Sequence, residues 1–502
     1  MEKQPGFVPK LTLEEMALRK LVVHFWSQTD ILALIEEFPF TTTFGKETLW
    51  QETVEDKVKD KISKLDFPES LKRRMNLIVK PIGLQIPEWV SFMEQFLCDS
   101  RENLDIQLLK QLCWTSAGAL DYEKTAEKLV SLKTLNVVER FKTACGHCLV
   151  DSLPVVWKEL PEEHKSRFSK GLLNDRFIWL ENETLLRFYW SYVLNGEEYE
   201  LLERHIDIYR EAFASSARRG NKAAADYFLK KLNNEERNSS LFLVFHEEIE
   251  REAFYPWASP RERTTDVSCY LLSQMTPEQQ MQVLRDFPGH VFRIFLDWRW
   301  QDLFLEKTDF IWNFLPEKST YNDLLHHIRR KMIISEYFSP ELFQEFFRRS
   351  PSAFRKYFVN QECLGEALFS KFLNNEDKET VRVILRNIDV EDRVRLVSCL
   401  RIFECFESLL GRKGQDVVEL CVREACPSKE DRERLKEVYM GFLIGDEKHV
   451  FLRGKKNWQR FFQSLDIADA SGPQKRSLED EMVTRAKRLR RRNKKKLKRK
   501  LR

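Results

Sequence analysis

Apolar residues spaced three and four apart recur along nearly all of this 502-residue chain, and that period decides its fold class. TLEEMALRKLVVHFW (12–26) opens with Thr12 and Glu15 at capping-box spacing. Its Met16, Leu18, Leu21, Val22, Phe25 and Trp26 then share one helical face. ETLLRFYWSYVL (183–194), EQQMQVLRDF (278–287) and KETVRVILRNI (378–388) repeat the pattern. Alternating strands bounded by Asn-Gly or Asp-Gly turns are missing. The 16 glycines are few for the strand–helix turns of nucleotide-binding α/β enzymes. The body is therefore expected to be all-α, and it is too long for a single compact core. KPIGLQIP (80–87) and YPWASPRERTTD (255–266), rich in proline, are the expected loops.

The helices also repeat. AFASSARRGNKAAADYFLKKLNNEER (212–237) reads as a helix, a turn at Gly220-Asn221 and a second helix. RFKTACGHCLVDSLPVVWKELPEEHK (140–165) overlies it at an offset of 72. Phe141 then falls on Phe213, Cys145 on Ala217, Cys148 on Gly220, Trp157 on Leu229, Leu160 on Leu232 and Glu163 on Glu235. LFSKFLNNEDKE (368–379) echoes YFLKKLNNEERN (227–238), and CYLLSQMTPEQQ (269–280) and FIWNFLPEKS (310–319) are weaker echoes. A unit of roughly 36 to 43 residues is in the range of helix-pair repeats. Ala217-Arg-Arg-Gly-Asn221, followed by Ala-Ala-Ala-Asp-Tyr-Phe-Leu, resembles the middle of an ankyrin repeat, and the chain is similar to highly diverged ankyrin-like helical arrays of the arthropod type. The Thr-Pro-Leu-His opening of that family is absent, and the same residues fit another α-solenoid. The resemblance implies an extended α-solenoid of helix pairs, made of degenerate ankyrin-like repeats.

Cys145-Gly-His-Cys148 has the spelling of a disulfide-exchange centre. Phe-Lys-Thr-Ala before it continues the helical spacing of Val137, Val138 and Phe141, whereas a reactive Cys-x-x-Cys begins a helix after a strand. The two thiols are expected as small packing residues where helices cross. A closed zinc site wants four ligands, and no second Cys-x-x-Cys or His-x-x-x-His accompanies His147. Without a secretion signal in MEKQPGFVPKLTLEE, the ten cysteines are expected reduced. GKET (45–48) lacks the first glycine and the hydroxyl residue of a phosphate loop, and HEEIE (246–250) ends in Glu where a zinc protease has His. His326-His327 lies in a helical stretch, and Glu162-Glu163 and Glu235-Glu236 suit helix starts. No residue of the body is expected to be catalytic, no metal or cofactor is expected, and no run of 18 apolar residues suggests a membrane span. Trp298 and Trp300, two apart in FRIFLDWRWQDLF, are expected in the core.

Charge is concentrated at one end. Residues 475–502 hold 15 Lys or Arg against 3 acids, a net of +12, and the rest holds 68 against 76, a net of −8. SGPQ (471–474) reads as a linker. Lys475 and Arg476, a ten-residue spacer, then Lys487, Arg488, Arg490, Arg491 and Arg492 form a bipartite nuclear-import pattern read by an importin-type carrier. Lys494, Lys495, Lys496, Lys498, Arg499 and Lys500 extend it and suit RNA or DNA phosphates, with few aromatics for base stacking. So dense a run is expected to be a disordered basic C-terminal tail. The expected organisation is an N-terminal helical region (1–130), a helical repeat array (131–470) and the basic tail (471–502). The expected role is a nuclear or nucleolar, non-catalytic scaffold that binds another protein along the array; the alternative is an RNA-binding protein that acts through its tail.

Overall fold

The computed structural model describes residues 11–40, 46–97, 106–170, 182–204, 207–254, 262–312, 321, 324–325, 327–329, 340–360, 364–412, 414–445, 458 and 461. The described residues are helical and contain no strand; one antiparallel bridge joins Trp114 and Leu120. No described helix is long and apolar enough to cross a membrane. The chain divides into two compact units, residues 1–357 and 358–502. Within the first unit, helix Tyr122–Ser131 and the long helix Glu69–Leu97 both pack on helix Val137–Gly146.

The first unit begins with helix Leu13–Trp26, closed by the Thr12/Glu15 capping box. Its Trp26 is buried, stacks on Trp50 at 5.8 Å between ring centroids and donates from Nε1 to the Val79 carbonyl at 3.2 Å. Val79 belongs to helix Glu69–Leu97, which carries Pro81 and Pro87 in its interior. KPIGLQIP is thus helix, not the loop its prolines suggest. Met75, Val79, Ile82, Ile86, Val90 and Met93 run through both prolines as one buried stripe, and that packing outweighs the missing N–H groups. Gly83 is required there, because a Cβ would stand 2.1 Å from the Trp26 ring. In 255–266, residues from Glu262 onward form helix Glu262–Gln274; 255–261 lie outside the described residues.

Trp298 and Trp300 are both buried, in the turn between helices Pro288–Phe295 and Gln301–Ile311. A turn can bury two indoles that one helix face could not. Trp298 joins the N-terminal core, where the Arg19 guanidinium lies 4.8 Å from its ring centroid and where it meets Gly118. Within this unit the chain therefore returns to its own first helix.

The helix pairs themselves are present. Helices Val137–Gly146 and Leu153–Glu159 form one, and Ile208–Arg218 and Lys222–Lys231 another. Phe141, Phe213, Cys145, Ala217, Trp157, Leu229, Leu160 and Leu232 are all buried, as the offset of 72 requires. Cys148 and Gly220 both have positive φ, 50° and 71°. Each first helix ends in the same two hydrogen bonds: Cys148 N to Cys145 O and Leu149 N to Ala144 O, then Gly220 N to Ala217 O and Asn221 N to Ser216 O. That is a Schellman cap.

In the second unit, helices Gly365–Asn374 and Lys378–Arg386 meet in the same cap, with Glu376 at φ 54° and bonds from Glu376 N to Leu373 O and Asp377 N to Phe372 O. The structural match to Gly220 is Glu376, an offset of 156. The Lys-x-Leu-Asn-Asn-Glu echo, at 141, pairs a helix start with a helix end. Asn233 opens a helix with Glu236 in a capping box, whereas Asn375 closes one. Helix Gly365–Asn374 packs on Leu400–Gly411, and Lys378–Arg386 packs on Gln415–Ala425. Arg386 grips Glu424 through Nε and Nη2 at 2.9 and 2.6 Å, and Lys378 Nζ reaches Asp416 at 3.1 Å; both partners lie 38 residues on.

Candidate functional site

A cavity of about 510 Å³ opens within the first unit, where segments far apart in sequence converge. One wall is the loop 113–121 with the first turn of helix Tyr122–Ser131. Gly118, at φ 74°, turns this loop back, and Thr115 N and Asp121 N bond to Ala119 O and Cys113 O, each at 2.8 Å. Buried Gln85 pins it to the long helix, donating to Gly118 O at 3.0 Å and accepting from Leu120 N at 2.8 Å. Arg19 adds a bond to Ala117 O at 3.0 Å. The second wall is the pair of equivalent turns. His147, packed edge-on to Phe92 at 5.6 Å, and Asn221 both line the cavity. Asn221 clasps the two turns, donating from Nδ2 to the Gly146 carbonyl at 2.6 Å. Asp266 and Tyr270 of helix Glu262–Gln274 complete the lining.

Four carboxylates face this space: Asp121, Glu123, Asp226 and Asp266. Asp121 caps helix Tyr122–Ser131 through Lys124 N and meets Lys124 Nζ at 3.0 Å. Asp226 accepts from Tyr270 OH at 2.7 Å and pairs with Lys230 at 2.5 Å. Asp266 pairs with buried Arg299 at 2.7 Å; burial still pushes its carboxyl upward, with Arg299 opposing. Among the described residues, Glu123 makes no ion pair. Desolvation raises its carboxyl, and Glu127, Asp121 and Asp226 raise it further against Lys222. Lys222 Nζ lies 5.7 Å from the Tyr270 ring centroid. Among the described residues, no group of three or more His, Cys, Asp or Glu is placed to hold a metal ion.

Cys145 and Cys148 sit at the end of a helix, not at the start of one. Burial pushes the Cys145 thiol well up and the Cys148 thiol to about 12. The eight described cysteines are free thiols. Glu162 opens helix Glu162–Lys170, and Glu235 and Glu236 lie in the first turn of Asn234–Phe254, where acids suit the helix dipole. His246 also lies in helix Asn234–Phe254, packed edge-on to Phe287. Gly45, His326 and every residue of the import pattern and its basic extension, 475–500, lie outside the described residues.

The cavity acids carried no local signal in the sequence. Only its Gly220-Asn221 edge was marked, through the repeat match; Asp121, Glu123, Asp226 and Asp266 belong to three helices, Tyr122–Ser131 with its cap, Lys222–Lys231 and Glu262–Gln274. Compared with protein-family models and with curated proteins, the chain matches none.

Proposed function

We propose that this protein is a non-catalytic, protein-binding scaffold that works in the nucleus. The observation that carries the reading is the recurrent helix pair. Three pairs share one left-handed cap, at Cys148, Gly220 and Glu376, and in the second unit one pair stacks on another through ion pairs at a 38-residue interval. Repeats of this kind bury their apolar faces on each other and leave helix ends and turns to contact partners, the mode of α-solenoids and of ankyrin-like repeats. The basic run from Lys475 to Arg492 supports import by an importin-type carrier.

The second reading, an RNA-binding protein acting through its tail, draws on the net charge of +12 over 475–502. Localising a fluorescent fusion, full length and cut after Pro473, with RNA crosslinking on both, separates them. A full-length form that alone is nuclear, with neither form crosslinking, supports the scaffold. RNA crosslinks confined to the full-length form favour the second reading.

A further inference from the structure

We infer that Asn195 is a site of spontaneous deamidation, which turns the Asn195-Gly196 junction into aspartate and isoaspartate, and that the isoaspartate form unfastens a carboxylate clasp between neighbouring helices.

Asn195-Gly196 is the one Asn-Gly pair in the sequence. It closes helix Asn182–Asn195, and both residues are exposed. Gly196 stands at φ 81°, with nothing within 4 Å of the place a Cβ would take. Neither a side chain of its own nor a packed neighbour screens the Gly196 nitrogen from Asn195. In the reaction that nitrogen attacks Asn195 Cγ and a new C–N bond forms. The amide proton ends on the side-chain nitrogen, which leaves as ammonia. Water then opens the five-membered imide at either carbonyl. One opening gives aspartate. The other gives isoaspartate, whose main chain runs through the β-carbon.

The fold sets the pace and the consequence. Gly196 N donates to Val193 O at 3.1 Å and Glu197 N to Tyr192 O at 2.9 Å, a Schellman cap. The first bond holds the attacking nitrogen and must open, which a fraying helix end allows at little cost. Isoaspartate adds a methylene to the backbone between Tyr192 and Glu197, so the bond that spans it cannot keep its register. Glu198 follows directly. Its Oε1 accepts from Tyr189 OH at 3.0 Å and Tyr209 OH at 2.8 Å, with Lys231 Nζ at 3.4 Å. Those partners stand on helices Asn182–Asn195, Ile208–Arg218 and Lys222–Lys231. The new carboxylate also lies at the C-terminal end of a helix and next to Glu197 and Glu198 in the chain, where negative charge is unfavourable.

The test ages the purified full-length protein at mildly alkaline pH, folded and in urea, and follows it by peptide mapping with an isoaspartate-specific methyltransferase as probe. In the folded chain Asn195 should convert first among the asparagines, and about tenfold more slowly than in urea, the margin set by the cap. Asn195→Gln, which would have to close a six-membered ring, should lose the early isoaspartate signal. Hydrogen exchange at 197–201 and 209–213 should quicken in the aged protein, and quicken less in fresh Asn195→Asp, which carries the charge on a normal backbone. Another asparagine converting first, or an early signal that persists in Asn195→Gln, overturns the site. Aged protein whose exchange is unchanged, or is matched by Asn195→Asp, overturns the unfastening of the clasp.

Discussion

Asn221 donates from Nδ2 to the carbonyl of Gly146, 75 residues away, at 2.6 Å, joining two turns that are equivalent at an offset of 72. The same side chain caps its own helix, accepting from Ala224 N at 3.3 Å. Both bonds are buried, so neither is replaced by water when the side chain is cut back. Asn221→Ala should cost about 2 kcal/mol, the sum of a lost cap and an orphaned carbonyl. Asn221→Asp keeps the cap but sets a buried carboxylate oxygen against the Gly146 carbonyl, and should cost more than Asn221→Ala. Native-state hydrogen exchange at amides 144–149 and 222–225 reports this locally, which suits a chain of two units better than a single melting curve.

The left-handed caps predict opposite signs at equivalent positions. Gly220→Ala forces a side chain into φ 71° and should destabilise its pair by about 1 kcal/mol. Glu376 already bears that strain at φ 54° on an exposed turn, so Glu376→Gly should stabilise the second unit by about 0.5 kcal/mol once glycine's chain entropy is set against the relief. Urea unfolding of the two variants, followed by exchange of each unit, checks both signs.

Gly83 tests the proline-bearing helix. With a Cβ 2.1 Å from the Trp26 ring, Gly83→Ala should displace Trp26 from its stack on Trp50 and cost about 2 kcal/mol. The readout is Trp fluorescence together with urea unfolding. An unchanged spectrum and midpoint would mean that the helix and Trp26 are farther apart than described.

Cys145 and Cys148 should resist alkylation in the folded protein at pH 8. Both thiols are held neutral by burial, Cys148 with its ionisation pushed to about 12, so raising the pH from 7 to 9 creates little thiolate in the native state. Mass-spectrometric labelling should find them modified only as the first unit opens in denaturant. Rapid labelling of Cys145 in the native chain would instead revive the disulfide-exchange reading of Cys-Gly-His-Cys.

The legible parts of this fold are those set by local pattern. Thr12 and Glu15 announce a helix start, and the alignment of Phe141 with Phe213 and of Cys148 with Gly220 finds a real structural repeat, down to the sign of φ. Two readings fail for physical reasons. Pro81 and Pro87 signal a break, but a buried stripe from Met75 to Met93 holds the helix through them. Leu-Asn-Asn-Glu serves both to begin a helix, at Asn233, and to end one, at Asn375, because asparagine suits either end. The cavity was illegible for another reason: Gln85, Asp121, Asn221 and Asp266 are brought together by tertiary packing, to which no spacing in the chain points.

The most direct measurement fuses an independent import signal to the N-terminus of the chain cut after Pro473 and crosslinks it in the nucleus beside the full-length protein. With localisation held equal, the account predicts that the same protein crosslinks recur on helix-pair residues in both forms and that tail removal leaves them in place. Loss of every protein crosslink with the tail, together with RNA crosslinks confined to the full-length form, would contradict it.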